Sequence, residues 1–255
     1  MVSNDYDLIV HKFPEELEEM TIYPLGDVHI GSNEFDEELF DKWIKTVKED
    51  PNGYVVITGD VFDNTLKNSR GNSYDAKMRP REQKFFAVEK FRPIKDRILA
   101  IVDGNHEYRS VYATDDSPLY DTMCKLDLEH LYRENMAFVK INLGKKRSDR
   151  QWSYVLVATH GTTKTKREKF SYAIDGMDIF VSGHDHTPTN DFPMKLEVDV
   201  RNEVIREVEV TTVVVPSFLK YGGYGMRGMY QPKSNRRFPR IILSGTEKEV
   251  SLLWK

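Results

Sequence analysis

Thr21-Ile22-Tyr23-Pro24-Leu25-Gly26-Asp27-Val28-His29 sets an apolar run of strand length directly ahead of two side chains able to ligate a metal ion. The same arrangement returns four times. Tyr54-Val55-Val56-Ile57-Thr58 precedes Gly59-Asp60, and Ile98-Leu99-Ala100-Ile101-Val102 precedes Gly104-Asn105-His106. Tyr154-Val155-Leu156-Val157-Ala158 leads to His160, and Ile179-Phe180-Val181-Ser182 leads to Gly183-His184-Asp185-His186. Short apolar runs bounded by turn residues read as buried strands. In open α/β sheets, ligands bind beyond the carboxyl ends of the strands, so five such ends can converge on one crevice. Five of the seven histidines lie in these clusters, which places the imidazoles where strands give way to loops. Together the clusters supply nitrogen and oxygen donors suited to two adjacent divalent ions.

A chain of 255 residues is long enough for one large α/β domain with a substantial core. No Pro/Gly/Ser-rich linker or composition break divides it, so residues 1–255 are expected to form a single domain. With 39% apolar and 31% charged residues and a net charge of -4, the composition excludes a disordered chain, and the overall charge points to no partner. No stretch approaches the ~20 apolar residues of a membrane span. The segment Met1-Val2-Ser3-Asn4-Asp5 lacks the basic and apolar regions of a signal peptide, so a cytoplasmic protein is expected. The single cysteine, Cys124, excludes an internal disulfide and is expected to be a buried or half-buried filler.

Between the strand runs the apolar period changes to that of helices. Phe35, Leu39, Phe40, Trp43, Ile44 and Val47 form a stripe among charges and predict a helix over Glu34 to Lys48. A second helix is expected from about Arg81 to Phe91, with Phe85, Phe86, Val88 and Phe91 inward, and a third from about Pro118 to Tyr132. After His186 the period becomes two. Leu196, Val198 and Val200, then Val204, Val208 and Val210, predict an antiparallel meander. Ile241-Ile242-Leu243 and Leu252-Leu253-Trp254 are expected to extend the same sheet, with a hairpin turn at Ser244-Gly245-Thr246.

The ordered pattern D-x-H, G-D, G-N-H-E, H, G-H-x-H from Asp27 to His186 resembles the calcineurin-like metallophosphoesterase superfamily. The form Asp27-Val28-His29-Ile30-Gly31 is similar to that of DNA-repair exonuclease-like members and of phage or bacterial phosphodiesterases. The resemblance implies an α/β fold, a four-layer α/β/β/α sandwich of two mixed sheets flanked by helices. It also implies a ligand set: Asp27, His29 and His186 on one metal, Asn105, His160 and His184 on the other, and Asp60 bridging both. Carboxylate, imidazole and amide donors suit manganese, with iron, zinc or nickel as alternatives, rather than calcium with its all-oxygen shell. By the same resemblance a hydroxide bridging the two ions attacks phosphorus, and His106 protonates the leaving-group oxygen. Asp63 is the candidate carboxylate that orients His106 and raises its pKa; as a loop carboxylate it could equally cap a turn. His184 and His186 can share a face if the chain is extended there, which turns Asp185 away from the metals. Glu107 reads as a salt-bridging flank.

One departure bears on substrate. The protein Ser/Thr phosphatases of this superfamily carry an arginine after the aspartate at position 63, and here Asn64-Thr65 follows instead. Phe218 to Arg240 contains Lys220, Arg227, Lys233, Arg236, Arg237 and Arg240, with Tyr221, Tyr224, Tyr230 and Phe238 among them, and no acidic residue. Such a segment can follow a nucleic-acid backbone and stack bases. A second basic run, Lys164, Lys166, Arg167 and Lys169, follows His160, whereas Lys145, Lys146, Arg147 and Arg150 read as a hairpin-like loop away from the site. Tyr221, Tyr224, Arg227 and Lys164 are the candidate substrate contacts, and DNA or RNA a candidate partner. The expected activity is that of a phosphodiesterase or nuclease. The alternatives are a phosphomonoesterase and, with seven ligands and His106 present, less readily a noncatalytic scaffold.

Overall fold

The computed structural model describes residues 5–67, 69, 76–145, 150–232 and 235–255, apart from the side chains of residues 165, 167 and 224. Two six-stranded sheets face each other. The first runs β14 (Val250–Trp254), β13 (Pro239–Ser244), β2 (Glu19–Leu25), β3 (Gly53–Ile57), β4 (Ile98–Val102), β5 (Tyr132–Arg133). Its strands β2 to β5 are parallel, and β13 and β14 add antiparallel at one edge. The second runs β1 (Ile9–Lys12), β6 (Met136–Leu143), β7 (Trp152–Thr159), β8 (Ile179–Ser182), β12 (Thr211–Val214), β9 (Thr189–Asp191). There β7, β8 and β12 are parallel. The inner faces share one core in which Ile22, Val55 and Ile101 meet Val139, Leu156 and Val181. A smaller cluster of Val157, Met177, Phe180 and Val210 lies apart from that core. With helices outside, this is the expected four-layer sandwich.

Local chemistry accounts for the helices. In α1 (Glu37–Glu49), Phe40, Trp43, Ile44 and Val47 are buried at helical spacing. The helix starts three residues later than the apolar stripe suggests, because the Asp36 carboxylate accepts the Leu39 N–H at 3.2 Å and caps it. In α2 (Pro80–Phe91), the buried face is Gln83, Ala87, Val88 and Phe91. Phe85 is not inward as expected but 51% exposed, since it falls on the opposite side of that face. The third predicted helix is shorter than expected: α4 (Pro118–Cys124) ends, Asp127 adopts a left-handed φ of 62°, and Tyr132 pairs with β4 as a strand. Leu126, Leu128 and Leu131 are buried from this turn and the short 3-10 helix Glu129–Leu131, so the apolar period there reports burial and not a continuation of α4. Cys124 is exposed, contrary to expectation, because it sits at the last position of α4 and faces away from buried Leu119 and Met123.

The alternating run after His186 does not build one meander. β10 (Met194–Asp199) and β11 (Val204–Glu209) pair only with each other, as a separate ribbon. Leu196 and Val198 on it are 72% and 66% exposed. Pro193 cannot donate to a ladder, and the chain leaves the sheet there. The Lys195 ammonium ties the ribbon down by donating to the Ser171 and Ile174 carbonyls at 3.0 and 2.6 Å. The chain then returns as β12 to the second sheet, while β13 and β14 join the first; their hairpin turns where the sequence places it. Among the described residues no helix is long and apolar enough to cross a membrane.

Candidate metal centre

The parallel strands β2, β3 and β4 end side by side and deliver Asp27 and His29, Asp60, and Asn105 and His106 to one rim. From the facing sheet, β7 and β8 end beside each other and deliver His160, His184 and His186 to the same place. The two rims are sewn together. The His184 N–H donates across to Asp27 Oδ2 at 2.9 Å, and within the second rim the Gly183 N–H donates to the His160 carbonyl at 3.0 Å. Gly183 allows the approach, since a Cβ there would lie 2.7 Å from Asp27 Oδ2, and Gly104 lets the first rim close on itself, since a Cβ there would lie 2.1 Å from Asp60 Oδ1. Ten non-glycine residues among those described have positive φ, and five of them are Asp27, His29, Asp60, His184 and His186. Backbone strain of this kind costs of order 1–3 kcal/mol per residue and gathers at functional sites.

The donors form two groups around Asp60. In one, His186 Nε2 lies 3.2 Å from Asp27 Oδ1 and 3.1 Å from His29 Nε2. In the other, Asn105 Oδ1 lies 3.0 Å from His160 Nε2 and 2.8 Å from His184 Nδ1. Asp60 Oδ2 stands between them, 3.3 Å from His160 Nε2 and 3.9 Å from His29 Nε2. Ligand atoms ~2.1 Å from a common ion lie roughly 3.0–3.4 Å apart at octahedral to tetrahedral angles. Tautomers point the same way. His160 Nδ1 bonds the Thr58 carbonyl at 2.8 Å and must carry the hydrogen, so Nε2, aimed at carboxylate and amide oxygens, is left to take a cation, a proton or a metal ion. Lone pairs converging on lone pairs are repulsive unless a cation lies among them. The residues present therefore fit divalent ions.

The sequence matches the calcineurin-like phosphoesterase family over residues 20–188. The chain belongs to that family. Its solved structural neighbours include a phosphoesterase from Streptococcus pneumoniae, described there as predicted (13% identity, 93% of this chain and 98% of that one, TM-score 0.37). They also include zinc-complexed Vps29 from Entamoeba histolytica (10%, 92% and 98%, 0.42) and a metallophosphoesterase from Sphaerobacter thermophilus (15%, 92% and 88%, 0.42). No curated protein sequence matches the chain.

Electrostatics in this phosphoesterase favour an ionised Asp60 beside a neutral His29. Burial opposes ionisation of Asp60, but the imidazoles of His160, His106 and His29 hold its carboxyl well below the usual range. Burial, helped by His106, holds His29 well below an ordinary imidazole and so keeps it neutral, as a ligand must be. His160 is also desolvated, yet the Asp60 carboxylate lifts it to about 10 in the metal-free chain. An ion on Nε2 would take the place of that proton.

His184 and His186 do not share a face of extended chain. Both are left-handed, with φ of 72° and 53°, and the kinks send the two rings to different donor groups. His106 borders the site, its Nε2 3.8 Å from Asp60 Oδ2. Its Nδ1 bonds the Asp63 main-chain oxygen at 2.7 Å; the Asp63 carboxylate is 3.9 Å away and accepts the Thr65 hydroxyl instead. The expected carboxylate-to-imidazole contact is thus replaced by a carbonyl contact. Burial also lowers the His106 pKa, although Asp60 and Asp63 oppose this.

Glu107 is not a salt-bridging flank. It is fully buried and accepts the N–H groups of Asp60, Phe62 and Gly104, each at 2.9 Å, so one carboxylate braces two metal loops. Its place three residues after the N-cap Gly104 is the capping-box spacing, the sequence signal that marks it. Asn64 has a comparable role. Left-handed at φ 42°, it donates to the His106 carbonyl at 2.7 Å, and its own N–H donates to buried Gln83.

The substrate-contact candidates lie at the periphery. Phe218 N–H donates to the Asp27 carbonyl at 3.0 Å, and Lys220 N–H to that of Glu34 at 2.8 Å, which fastens the start of the basic aromatic segment to the first metal loop. Tyr221 donates its hydroxyl to the Tyr230 carbonyl, and Arg227 is exposed at the end of α6 (Gly223–Arg227). Lys164 opens α5 (Lys164–Ser171) and pairs with Glu168 at 3.7 Å. None of these three bonds a metal-cluster side chain among the described residues. The side chains of Tyr224 and Arg167, and residues Lys146, Arg147 and Lys233, lie outside the described residues.

Proposed function

We propose that this phosphoesterase is a phosphodiesterase or nuclease acting on DNA, RNA or a nucleotide diester, with manganese as its resident ion pair and residues 1–255 as one catalytic domain. The observation that carries this reading is the attachment of the basic aromatic segment to the first metal loop through Phe218 and Lys220. On this reading the anchored segment forms the side of the metal cleft along which a polyanion or a flanking base would lie. The Asn64 side chain, in the place where an arginine would clamp a monoester, is already engaged by the His106 carbonyl and Ser110.

Asp27, His29 and His186 would hold one ion and Asn105, His160 and His184 the other, with Asp60 common to both. Bound there, the ions supply an activated water and neutralise charge on the phosphoryl oxygens. The chain's own contribution is orientation and a proton. With Nδ1–H fixed on the Asp63 carbonyl, His106 turns Nε2 toward the metal cleft, and in the imidazolium form it delivers the Nε2 proton to the departing oxygen. Hydrolysis of bis(p-nitrophenyl) phosphate beside p-nitrophenyl phosphate, with manganese and an Asp60→Asn control, tests the reading. Preference for the diester, lost in the variant, supports it; preference for the monoester makes the protein a phosphatase. A chain that takes up no divalent ion returns the scaffold reading.

A further inference from the structure

α3 (Asn105–Thr114) is a ten-residue helix that buries one side chain, the Glu107 carboxylate. Most helices of globular proteins owe their stability to a packed apolar face, and this one has none. Successive helical residues are about 100° apart, so Asn105, Tyr108, Arg109 and Tyr112 fall within one arc of about 100°, roughly opposite Glu107. The exposed face therefore starts at a metal-ligand candidate and continues along two tyrosines and an arginine. Tyr108 is 56% and Tyr112 84% exposed, and among the described residues neither makes a ring contact or a side-chain hydrogen bond. They are one turn apart on the same stripe.

Arg109 stands between them, half-buried, with Asp60, Asp63 and Glu107 as its charged surroundings. One guanidinium nitrogen donates to the Asp63 carbonyl at 3.1 Å, the same oxygen that receives His106 Nδ1. That is its only hydrogen-bond acceptor among the described residues, although a guanidinium carries five N–H donors in a planar fork matched to phosphate. A fork with unused donors, one turn from Asn105 and sharing an acceptor with His106, is placed for a phosphoryl oxygen. Rings on either side of it along the helix are placed for a base.

We propose that α3 is the substrate-reading helix of this phosphoesterase, with Arg109 gripping a phosphate oxygen and Tyr108 and Tyr112 stacking the nucleobase attached to it. The ligand is a nucleotide unit, recognised by phosphate and aromatic base together. The inference rests on phosphoester hydrolysis at the metal centre and adds which element selects the substrate.

The test uses the metal-loaded protein and two diesters with the same leaving group, thymidine 5′-(p-nitrophenyl) phosphate and ethyl p-nitrophenyl phosphate; only the first carries a base. The Tyr108→Ala/Tyr112→Ala double variant should lower the ratio of kcat/KM between nucleoside and ethyl ester by about tenfold, mainly through KM, since each stacked base is worth that much. Tyr108→Phe/Tyr112→Phe, which keeps the rings, should restore the ratio. Arg109→Met should weaken binding of inorganic phosphate, followed by calorimetry, by about tenfold, and Arg109→Lys should recover part of it. Metal content by mass spectrometry establishes that each variant retains its centre. A ratio unmoved in the alanine variant, or phosphate bound equally well by Arg109→Met, overturns the proposal. Wild-type protein that hydrolyses neither ester removes the phosphodiesterase reading and this inference together, whereas a hydrolase with an unmoved ratio removes the inference alone.

Discussion

His106 takes its orientation from the main chain of Asp63, with Nδ1 2.7 Å from the carbonyl oxygen and 3.9 Å from the nearer carboxylate oxygen. Any residue at position 63 supplies that carbonyl. Asp63→Asn should therefore retain kcat to within about tenfold, whereas His106→Ala should lose about 10²–10⁴-fold, the usual contribution of a general acid, with its metal retained. Steady-state kinetics of the two variants on a diester checks this. Loss in Asp63→Asn as deep as in His106→Ala would return the orienting role to the carboxylate.

Glu107 concerns stability as much as activity. Glu107→Ala strips the acceptor from three N–H groups, of Asp60, Phe62 and Gly104, in a region that water does not reach. A buried donor left unpaired costs about 1–3 kcal/mol, so a loss of roughly 3 kcal/mol or more is expected in urea denaturation. Because the same bonds shape the Asp60 and Asn105 loops, metal affinity should fall about 10–100-fold, as when groups supporting a metal ligand are removed. Wild-type stability in Glu107→Ala would mean that water or another group satisfies these donors.

His11 gives the fold a pH dependence separate from the metals. Its half-buried ring lies against the Leu99 carbonyl at 2.9 Å. Burial lowers its pKa from 6.5; the Leu99 bond opposes this, and His130 adds to the lowering. The unfolded chain thus binds the proton more readily, so the stability held by neutral His11 is fully present above about pH 6.5 and is lost as pH falls from there through the folded value. With metal saturated so that the ligand histidines do not titrate, His11→Gln should flatten the decline in Tm between pH 7 and pH 5. Parallel wild-type and variant curves would exclude it.

The sequence made the metal loops legible because each pairs two independent signals, a strand-length apolar run and a ligating residue at its end. The strands could be read for the same reason, since β2, β3, β4 and β8 are nearly continuous buried runs, whereas the four layers followed only from the family resemblance. Period alone was less reliable. Leu196 and Val198 alternate like a half-buried strand but lie exposed on the ribbon, and Leu128 and Leu131 keep a helical spacing where the chain makes only a short 3-10 turn. Backbone sign was invisible too. Histidine and aspartate adopt a positive φ more often than most side chains but still only in a small minority of places, so the kinks that send His184 and His186 to opposite donor groups could not be read from G-H-x-H. Glu107 and Asn64 act on backbone groups of residues more than 40 positions away, which only the fold brings near.

That separation of His184 from His186 sets a test of the centre as a pair. His186 meets Asp27 and His29, and His184 meets Asn105 and His160, while Asp60 stands between the groups. Each histidine should therefore govern one ion. His186→Ala and His184→Ala are expected to lower bound manganese from two per chain to about one, and Asp60→Asn to weaken both. Ions that bind only the folded chain stabilise it by RT ln(1 + [L]/Kd), about 2.7 kcal/mol at a hundredfold excess over Kd. Chelation should accordingly lower the wild-type Tm, and each histidine variant should show a smaller drop because it has one ion fewer to lose. Equilibrium dialysis with metal analysis, alongside thermal melts with and without chelator, reads both quantities. Loss of both ions from either single histidine variant would mean that the second ion depends on the first, and that the two groups act as one cooperative site.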